Sequence, residues 1–277
     1  MELDAAFVQC AEIVRELDPD RYLTALMAEP DKRGPLMALY AFTNEVAKSR
    51  DTAHEPHLAL IRLQWWRDVL ADFETGTLSN NPILVGLRAV LATSDLRMRD
   101  LVQIIDAYEA DLDDPLIQTW DDLDKFCDTT AGAVMALALR ILGNPSKEIA
   151  EYGGRAWGLV GLTRAFPHHA GAGRIYMPAE AFDEVGLDPH DIFQGNGGPP
   201  VMAIMLATLG RAQDYADLLR TEARAMPRTA RPAFSYVSLI DFYVSQIRRH
   251  SDAPFALHPE IPAFRKQWRL LTTNLLR

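Results

Sequence analysis

Cysteine occurs only twice in the 277 residues, as Cys10 and Cys127, so there is neither a CxxC pair nor a disulfide framework. That scarcity predicts a reduced intracellular protein. The N-terminus, MELDAAFVQCAEIVRELD, lacks a basic start followed by an apolar run, which argues against a signal or transit peptide. Long hydrophobic runs are missing as well. The most apolar stretches, AVMALAL at 133–139 and VMAIMLATLG at 201–210, fall well short of the roughly 20 residues of a membrane span. The expected protein is soluble or at most peripheral to a membrane. A basic stripe is also absent: residues 1–140 hold 13 Lys+Arg against 25 Asp+Glu, and 141–277 hold 15 against 13. An acidic front and a near-neutral back exclude general nucleic-acid binding, which needs cations for phosphates.

Alternating strand patterns are missing, while apolar residues recur at spacings of three and four almost everywhere. The chain therefore reads as all-α and as a single domain over 1–277. Helices are expected at about 4–17, 20–28, 32–51, 56–75, 81–92, 97–111, 120–142, 146–166, 199–224, 232–249 and 260–274. Pro30 and Pro35 bracket one helix start, Asn81-Pro82 another, and Gly143-Asn144-Pro145-Ser146 closes one helix and caps the next. Residues 167–200, with PHHAGAG and GNGGPP, are expected to form an irregular surface excursion.

Among groups that could carry chemistry, Asp106, Glu109 and Asp113 fall on one helical face and could offer oxygen ligands to Mg²⁺. A solvated acidic face is the simpler reading, with Thr119, Asp121 and Asp122 favouring the next helix N-terminus. His168 and His169 are adjacent, so they diverge on a helix and make a poor ligand pair for one zinc. Trp65 and Trp66 read as packing residues. No G-x-S-x-G, P-loop or dinucleotide fingerprint is present. Arg220, Arg224, Arg228 and Arg231 could form a basic strip toward a membrane, but Pro227 interrupts it and a solvated face is favoured.

Three stretches, taken in order, resemble the squalene and phytoene synthase family of head-to-head prenyl transferases. MALYAFTNEVAKSRD (37–51) is similar to that family's Y-A-F-C-R-x-x-D-D-x-x-D helix. IIDAYEADLDD with WDDLDKFCDTTAGAVMALAL is similar to its D-G-x-E-x-D-L and D-L-x-x-Y-C-x-x-x-A-G-x-V-G run. RAWGLVGLTRAFPHHAGAGRIYMPAE is similar to its second motif, which ends R-D-x-x-E-D before R-I-Y-x-P. The resemblance implies a helical isoprenoid synthase fold around a central cavity. In the family two acidic motifs face each other there and hold Mg²⁺ ions that bind diphosphate.

Position by position, the first motif's aspartates correspond to Ala47, Lys48 and Asp51, and its arginine to Asn44. The second motif's aspartates correspond to Ala165 and His169, its glutamate to His168, and its upstream glutamine and asparagine to Gly158 and Gly161. Of five aspartates only Asp51 remains, so no metal cofactor is expected although the family uses Mg²⁺. Arg164, the Arg174-Ile175-Tyr176 run, Cys127 and the Ala131-Gly132 pair persist, the last permitting close helix packing.

QWWRDVL, GLTRAFPHHAGAGRIYMP and RPAFSYVSLIDFYVSQIRR further resemble the family branch that assists assembly of respiratory complex I without catalysis. That branch implies a protein partner, namely complex I subunits or other assembly factors. It also implies a location peripheral to the inner membrane in bacteria or on the mitochondrial matrix side in eukaryotes. A second reading is metal-free binding of an isoprenoid or phospholipid by Lys48, Arg50, Arg164, His168, His169, Arg174 and Tyr176, with Asp51 at the rim. Against it, Lys48 and the arginines could simply pair with Asp51, Glu45 and other helix neighbours. A third reading is a prenyl transferase with relocated acids at Asp106, Glu109 and Asp113.

Overall fold

Proline writes many of the helix starts, because a residue at the first helical position needs no N–H and gains from a fixed φ. The computed structural model describes residues 1–51, 56–73, 80–113, 117–249, 253–256 and 261–275, and no strand occurs among them. In chain order the helices are α1 (Leu3–Leu17), α2 (Pro19–Ala25), α3 (Pro30–Asp51), α4 (Pro56–Ala71), α5 (Pro82–Thr93), α6 (Met98–Ala110), α7 (Trp120–Cys127) and α8 (Ala133–Ile141). They continue with α9 (Lys147–Arg164), α10 (Phe166–Gly171), α11 (Ala179–Val185), α12 (Pro189–Phe193), α13 (Gly198–Glu222), α14 (Ile240–Arg249) and α15 (Ala263–Leu275). Side-chain caps sit where the turn residues imply. Asp18 accepts the Arg21 N–H at 3.0 Å, Asn81 accepts the Ile83 N–H at 2.9 Å, and Thr119 accepts the Asp122 N–H at 3.2 Å while Asp122 reaches back to the Thr119 N–H. Each satisfies an N–H that the helix itself leaves without an acceptor.

At the other end of α8, Gly143 takes φ +71°. The Asn144 N–H then donates to Leu139 and the Gly143 N–H to Arg140, both at 2.9 Å. This paired closure uses the left-handed conformation that glycine adopts without a Cβ penalty.

The boundaries depart from the sequence reading in four places. Pro35 lies inside α3 rather than bracketing its start, and the helix absorbs the loss of one i→i−4 bond near its beginning. The expected continuous helix over 120–142 is interrupted by a π-helical turn at Asp128–Gly132. The expected helix over 232–249 begins only at Ile240, preceded by 3₁₀ turns at Arg228–Ala233 and Ser235–Leu239; Pro232 removes a donor that an α-helix there would need. Residues 167–200 contain α10, α11 and α12, so the excursion is built of short helices rather than irregular chain.

The chain divides into two compact units, each assembled from three segments. The first comprises 1–113, 133–147 and 225–236. Its centre is α3, whose Leu36, Leu39, Tyr40 and Phe42 are fully buried, together with Leu87 of α5 and Leu101 of α6. Trp66 packs edge-on to Phe42 with ring centroids 5.3 Å apart. Arg21 is almost fully buried in this unit between the rings of Tyr40 and Tyr236, at 5.6 and 5.1 Å from their centroids, and pairs with Asp18 at 3.0 Å. The second unit comprises 114–132, 148–224 and 237–277. Leu159, Val160, Phe182, Met205, Leu209 and Tyr243 form its core.

In the second unit the backbones of the π-helical turn and α9 approach so closely that a Cβ on Gly154 would lie 2.2 Å from the Gly132 Cα. The contact that Ala131-Gly132 was expected to permit is present. Among the described residues no helix is long and apolar enough to cross a membrane.

Candidate functional site

In the first unit, Asn44, Ala47 and Lys48 follow one another at helical spacing along α3, with Asp51 as its last residue. Lys48 is exposed and Ala47 is partly covered. Asn44 is half-buried, and its Nδ2 has no hydrogen-bond partner among the described residues. The side chain of Asp51, an expected rim residue, lies outside the described residues. Arg50 reaches beyond its own helix, which the simpler sequence reading did not suppose. Its Nη1 lies 2.5 Å from Oδ2 of Asp111 and donates to the Asp111 carbonyl, with both side chains nearly buried. An arginine neutralised in this way is withdrawn from any anion-binding rim.

The acidic face of α6 is also committed. Arg67 of α4 pairs with Asp106 at 2.6 Å and with Glu109 as well, while the Asp113 side chain lies outside the described residues. Each of the two described carboxylates gives one oxygen to the Arg67 guanidinium, which sets a cation of the protein's own against the relocated-acid reading at Asp106 and Glu109. Beside α4 lies a cleft of about 730 Å³ lined by Ile13, Glu45, Leu58, Ile61, Trp65 and Ile83, among others. Trp66 fills the core as expected, whereas Trp65 is 43% exposed on this cleft.

In the second unit α9 and α10 carry the other set of positions. A Cβ on Gly158 would lie 2.7 Å from the Cys127 Sγ, while one on Gly161 would meet no atom within 4 Å. Burial holds the Cys127 thiol far above the ordinary thiol range, so it serves packing and not nucleophilic chemistry. The Arg164 guanidinium lies 3.7 Å from the Tyr243 ring centroid, its Nε buried without a hydrogen-bond partner among the described residues. Lys266 approaches the same ring, at 5.4 Å, and Trp157 meets its edge.

His168 is exposed and His169 half-buried, with ring centroids 5.9 Å apart. His169 packs on Tyr176 at 4.7 Å, and Tyr176 on Phe126 at 5.3 Å. The Arg174 N–H donates to the His169 carbonyl at 2.9 Å. These contacts bring His169, Arg174 and Tyr176 together at the end of α10.

Sequence reasoning missed an arginine–carboxylate network in this unit. Arg211 donates to both oxygens of Asp124, at 3.3 and 2.6 Å, and the Tyr215 hydroxyl donates to the same carboxylate. Arg155 holds Asp128 through bonds of 2.9 and 2.7 Å and lies 5.3 Å from the Tyr215 ring centroid. Burial, followed by the Asp124 hydrogen bond, raises the Tyr215 pKa. The available signal was the i, i+4 spacing of Arg211 and Tyr215, but their partners are 87 and 91 positions away.

Comparison with known proteins places this geometry. The squalene/phytoene synthase family model matches residues 14–274. The chain belongs to the squalene/phytoene synthase family. This family member is 26% identical over 250 residues to NADH dehydrogenase (ubiquinone) complex I, assembly factor 6 of Mus musculus, covering 89% of this chain and 75% of that one. It is 32% identical over 180 residues to presqualene diphosphate synthase of Rhodopseudomonas palustris, covering 62% and 63%. Its fold is that of a dehydrosqualene synthase crystal structure, with TM-score 0.84 at 19% identity, covering 97% of this chain and 95% of the other. It also matches squalene synthase HpnC from Alicyclobacillus acidocaldarius with TM-score 0.77 at 23% identity, covering 91% and 97%.

The donor chemistry at this family member's motif positions does not fit Mg²⁺. Ala47 and Ala165 have no side-chain donor, Gly158 and Gly161 have no side chain, and Lys48 is itself a cation. His168 and His169 bring nitrogen to a site for an ion that prefers oxygen. Among the described residues no three of His, Cys, Asp and Glu are grouped as a metal site.

Proposed function

We propose that this squalene/phytoene synthase family member is a non-catalytic assembly factor acting on respiratory complex I at the membrane periphery. The observation that carries the reading is the side-chain set at the motif positions. Ala47, Lys48, Ala165, His168 and His169 replace the oxygen donors that Mg²⁺ coordination of a diphosphate requires. The assembly factor 6 relatives support the direction, since they align over most of the chain. The expected partners are complex I subunits or other assembly factors.

Two measurements test the reading together. Purified protein with Mg²⁺ and farnesyl or geranylgeranyl diphosphate is expected to release no prenyl product. Deletion in the host, followed by native separation of respiratory complexes, is expected to deplete assembled complex I. Mg²⁺-dependent turnover that disappears on Asp51→Ala, or normal complex I with altered isoprenoids, overturns it.

A second reading is metal-free binding of an isoprenoid phosphate or phospholipid. It is favoured by the buried Arg164 Nε, which has no acceptor among the described residues, because an anion there would satisfy it. Thermal shift with prenyl diphosphates separates the readings. Stabilisation that survives EDTA supports metal-free binding, and no shift at any concentration rejects it.

A further inference from the structure

The outer face of α15 is unusual for a protein bathed only in water. Phe264, Trp268 and Leu271 follow at i, i+4 and i+7 and are 73%, 64% and 46% exposed. Phe264 and Trp268 stack with centroids 6.4 Å apart, making one continuous apolar stripe. Scattered exposed apolar residues need no explanation, but a contiguous aromatic stripe does. The opposite face fixes the helix to its unit: Leu270 is buried, and Arg269 bonds to Asp241 at 2.6 Å and to the Ser238 carbonyl at 3.2 Å. The stripe therefore belongs to an anchored helix.

Charge around the stripe runs against the rest of the chain. Residues 248–277 hold six Lys+Arg and two Asp+Glu, in a protein whose net charge is −10, and the stretch 261–277 holds no acid at all. Arg265 is exposed beside the stripe. The Arg269–Asp241 pair and the Lys266–Tyr243 contact set α15 antiparallel to α14. The exposed Arg248 and Arg249 at the end of α14 are thereby brought toward the Phe264 end of α15.

We propose that α15 is a membrane-surface contact: Phe264, Trp268 and Leu271 enter the headgroup and upper acyl region of a bilayer bearing anionic lipids, while Arg265, Arg248 and Arg249 meet the lipid phosphates. Aromatic and leucine side chains on one face with arginine at the rim are the composition of helices that lie in the interface plane. Tryptophan suits this depth because its ring is apolar while its N–H remains wet. The exposed arginines at the rim complement the phosphates of an anionic lipid surface, and a second copy of this chain is the outcome that the test below separates from it. The inference does not rest on the assembly reading, and each can fail without the other.

Flotation of the full chain with vesicles provides the test. Binding is expected to vesicles of phosphatidylcholine with 30% phosphatidylglycerol, to be much weaker on phosphatidylcholine alone, and to fall with salt. Phe264→Ser/Trp268→Ser is expected to lower partitioning at least about tenfold while keeping the unfolding temperature, because both side chains are exposed. Trp268→Phe is expected to retain most of the binding. Arg265→Glu is expected to reduce it at least about fivefold on anionic vesicles only, in line with the pull of an acidic surface on each cation. Absence of flotation with anionic vesicles overturns the proposal, as does binding unchanged by the double serine variant. A self-associating wild type that the same variant turns monomeric, without vesicle binding, assigns the stripe to a second copy instead.

Discussion

Replacing Gly154 with alanine should destabilise the protein, although alanine is the better helix former. In α9 the added Cβ would lie 2.2 Å from the Gly132 Cα and 2.5 Å from its nitrogen, and both obstacles are backbone. Ordinary carbon contacts begin about 3.5 Å apart, so the two segments must separate by about 1 Å or more. Forcing extra volume into a packed interior costs about 1–3 kcal/mol. The propensity gain of alanine over glycine returns about 0.5–1 kcal/mol, leaving a net loss of about 1 kcal/mol at the middle of both ranges and up to about 2.5 kcal/mol. Gly161 lies two turns along the same helix with no atom within 4 Å of an added Cβ. Gly161→Ala should therefore keep the whole propensity gain, about 0.5–1 kcal/mol. Urea unfolding followed by far-UV circular dichroism reads both variants. With slopes of about 1–3 kcal/mol/M, the two midpoints should differ by about 1 M, on opposite sides of the parent. Equal midpoints, or Gly154→Ala the more stable, would refute the close-packing argument.

Two further outcomes follow from buried charge and burial. Desolvation pushes the Cys10 thiol up to about 12. The folded pKa is thus above the unfolded one, and the associated stability is complete below about pH 8.5 and lost as pH rises toward 12, reaching about 2 kcal/mol by pH 10. Urea midpoints for the parent and Cys10→Ala across pH 8–10 should converge as pH rises, and parallel profiles would contradict this. Arg50→Met should cost about 3 kcal/mol, because the nearly buried Asp111 carboxylate loses a cation in direct contact with it. The double variant Arg50→Met/Asp111→Leu should recover part of that loss in the same assay, and an additive result would show the pair is uncoupled.

Helices such as α6 were legible because the three and four residue spacing of Leu101, Ile104 and Ile105 reflects burial on one side of a cylinder. Caps at Asn81, Thr119 and Gly143 were legible because their chemistry is local. The π-helical turn at Asp128–Gly132 was not, since one wide turn changes the phase of the pattern without changing its composition. Nor were the partners of Arg50, Arg67 and Arg211, which lie 61, 39 and 87 positions away. Helix neighbours such as Glu45 were the nearest acids in sequence, but the fold supplied acids from other helices. At the candidate site, the identities of Ala47, Lys48, Ala165 and His169 are plain in the sequence. The stacking of Arg164 on Tyr243 required the tertiary structure, and the aromatic stripe of α15 required knowing that Leu270, rather than Trp268, faces inward.

The division of the chain into interleaved segments bears on how the protein is made. The first unit needs residues 225–236 as well as 1–113, and Tyr236 supplies one of the two rings that enclose Arg21. At about 5–20 residues per second, a ribosome takes roughly 6–25 s to pass from residue 113 to residue 236. During that interval the nascent unit carries the apolar faces of α3 and α5 without its closing segments, a substrate for holding chaperones. Neither unit can be excised as one continuous piece of gene, and a stop codon introduced before position 236 leaves both units incomplete.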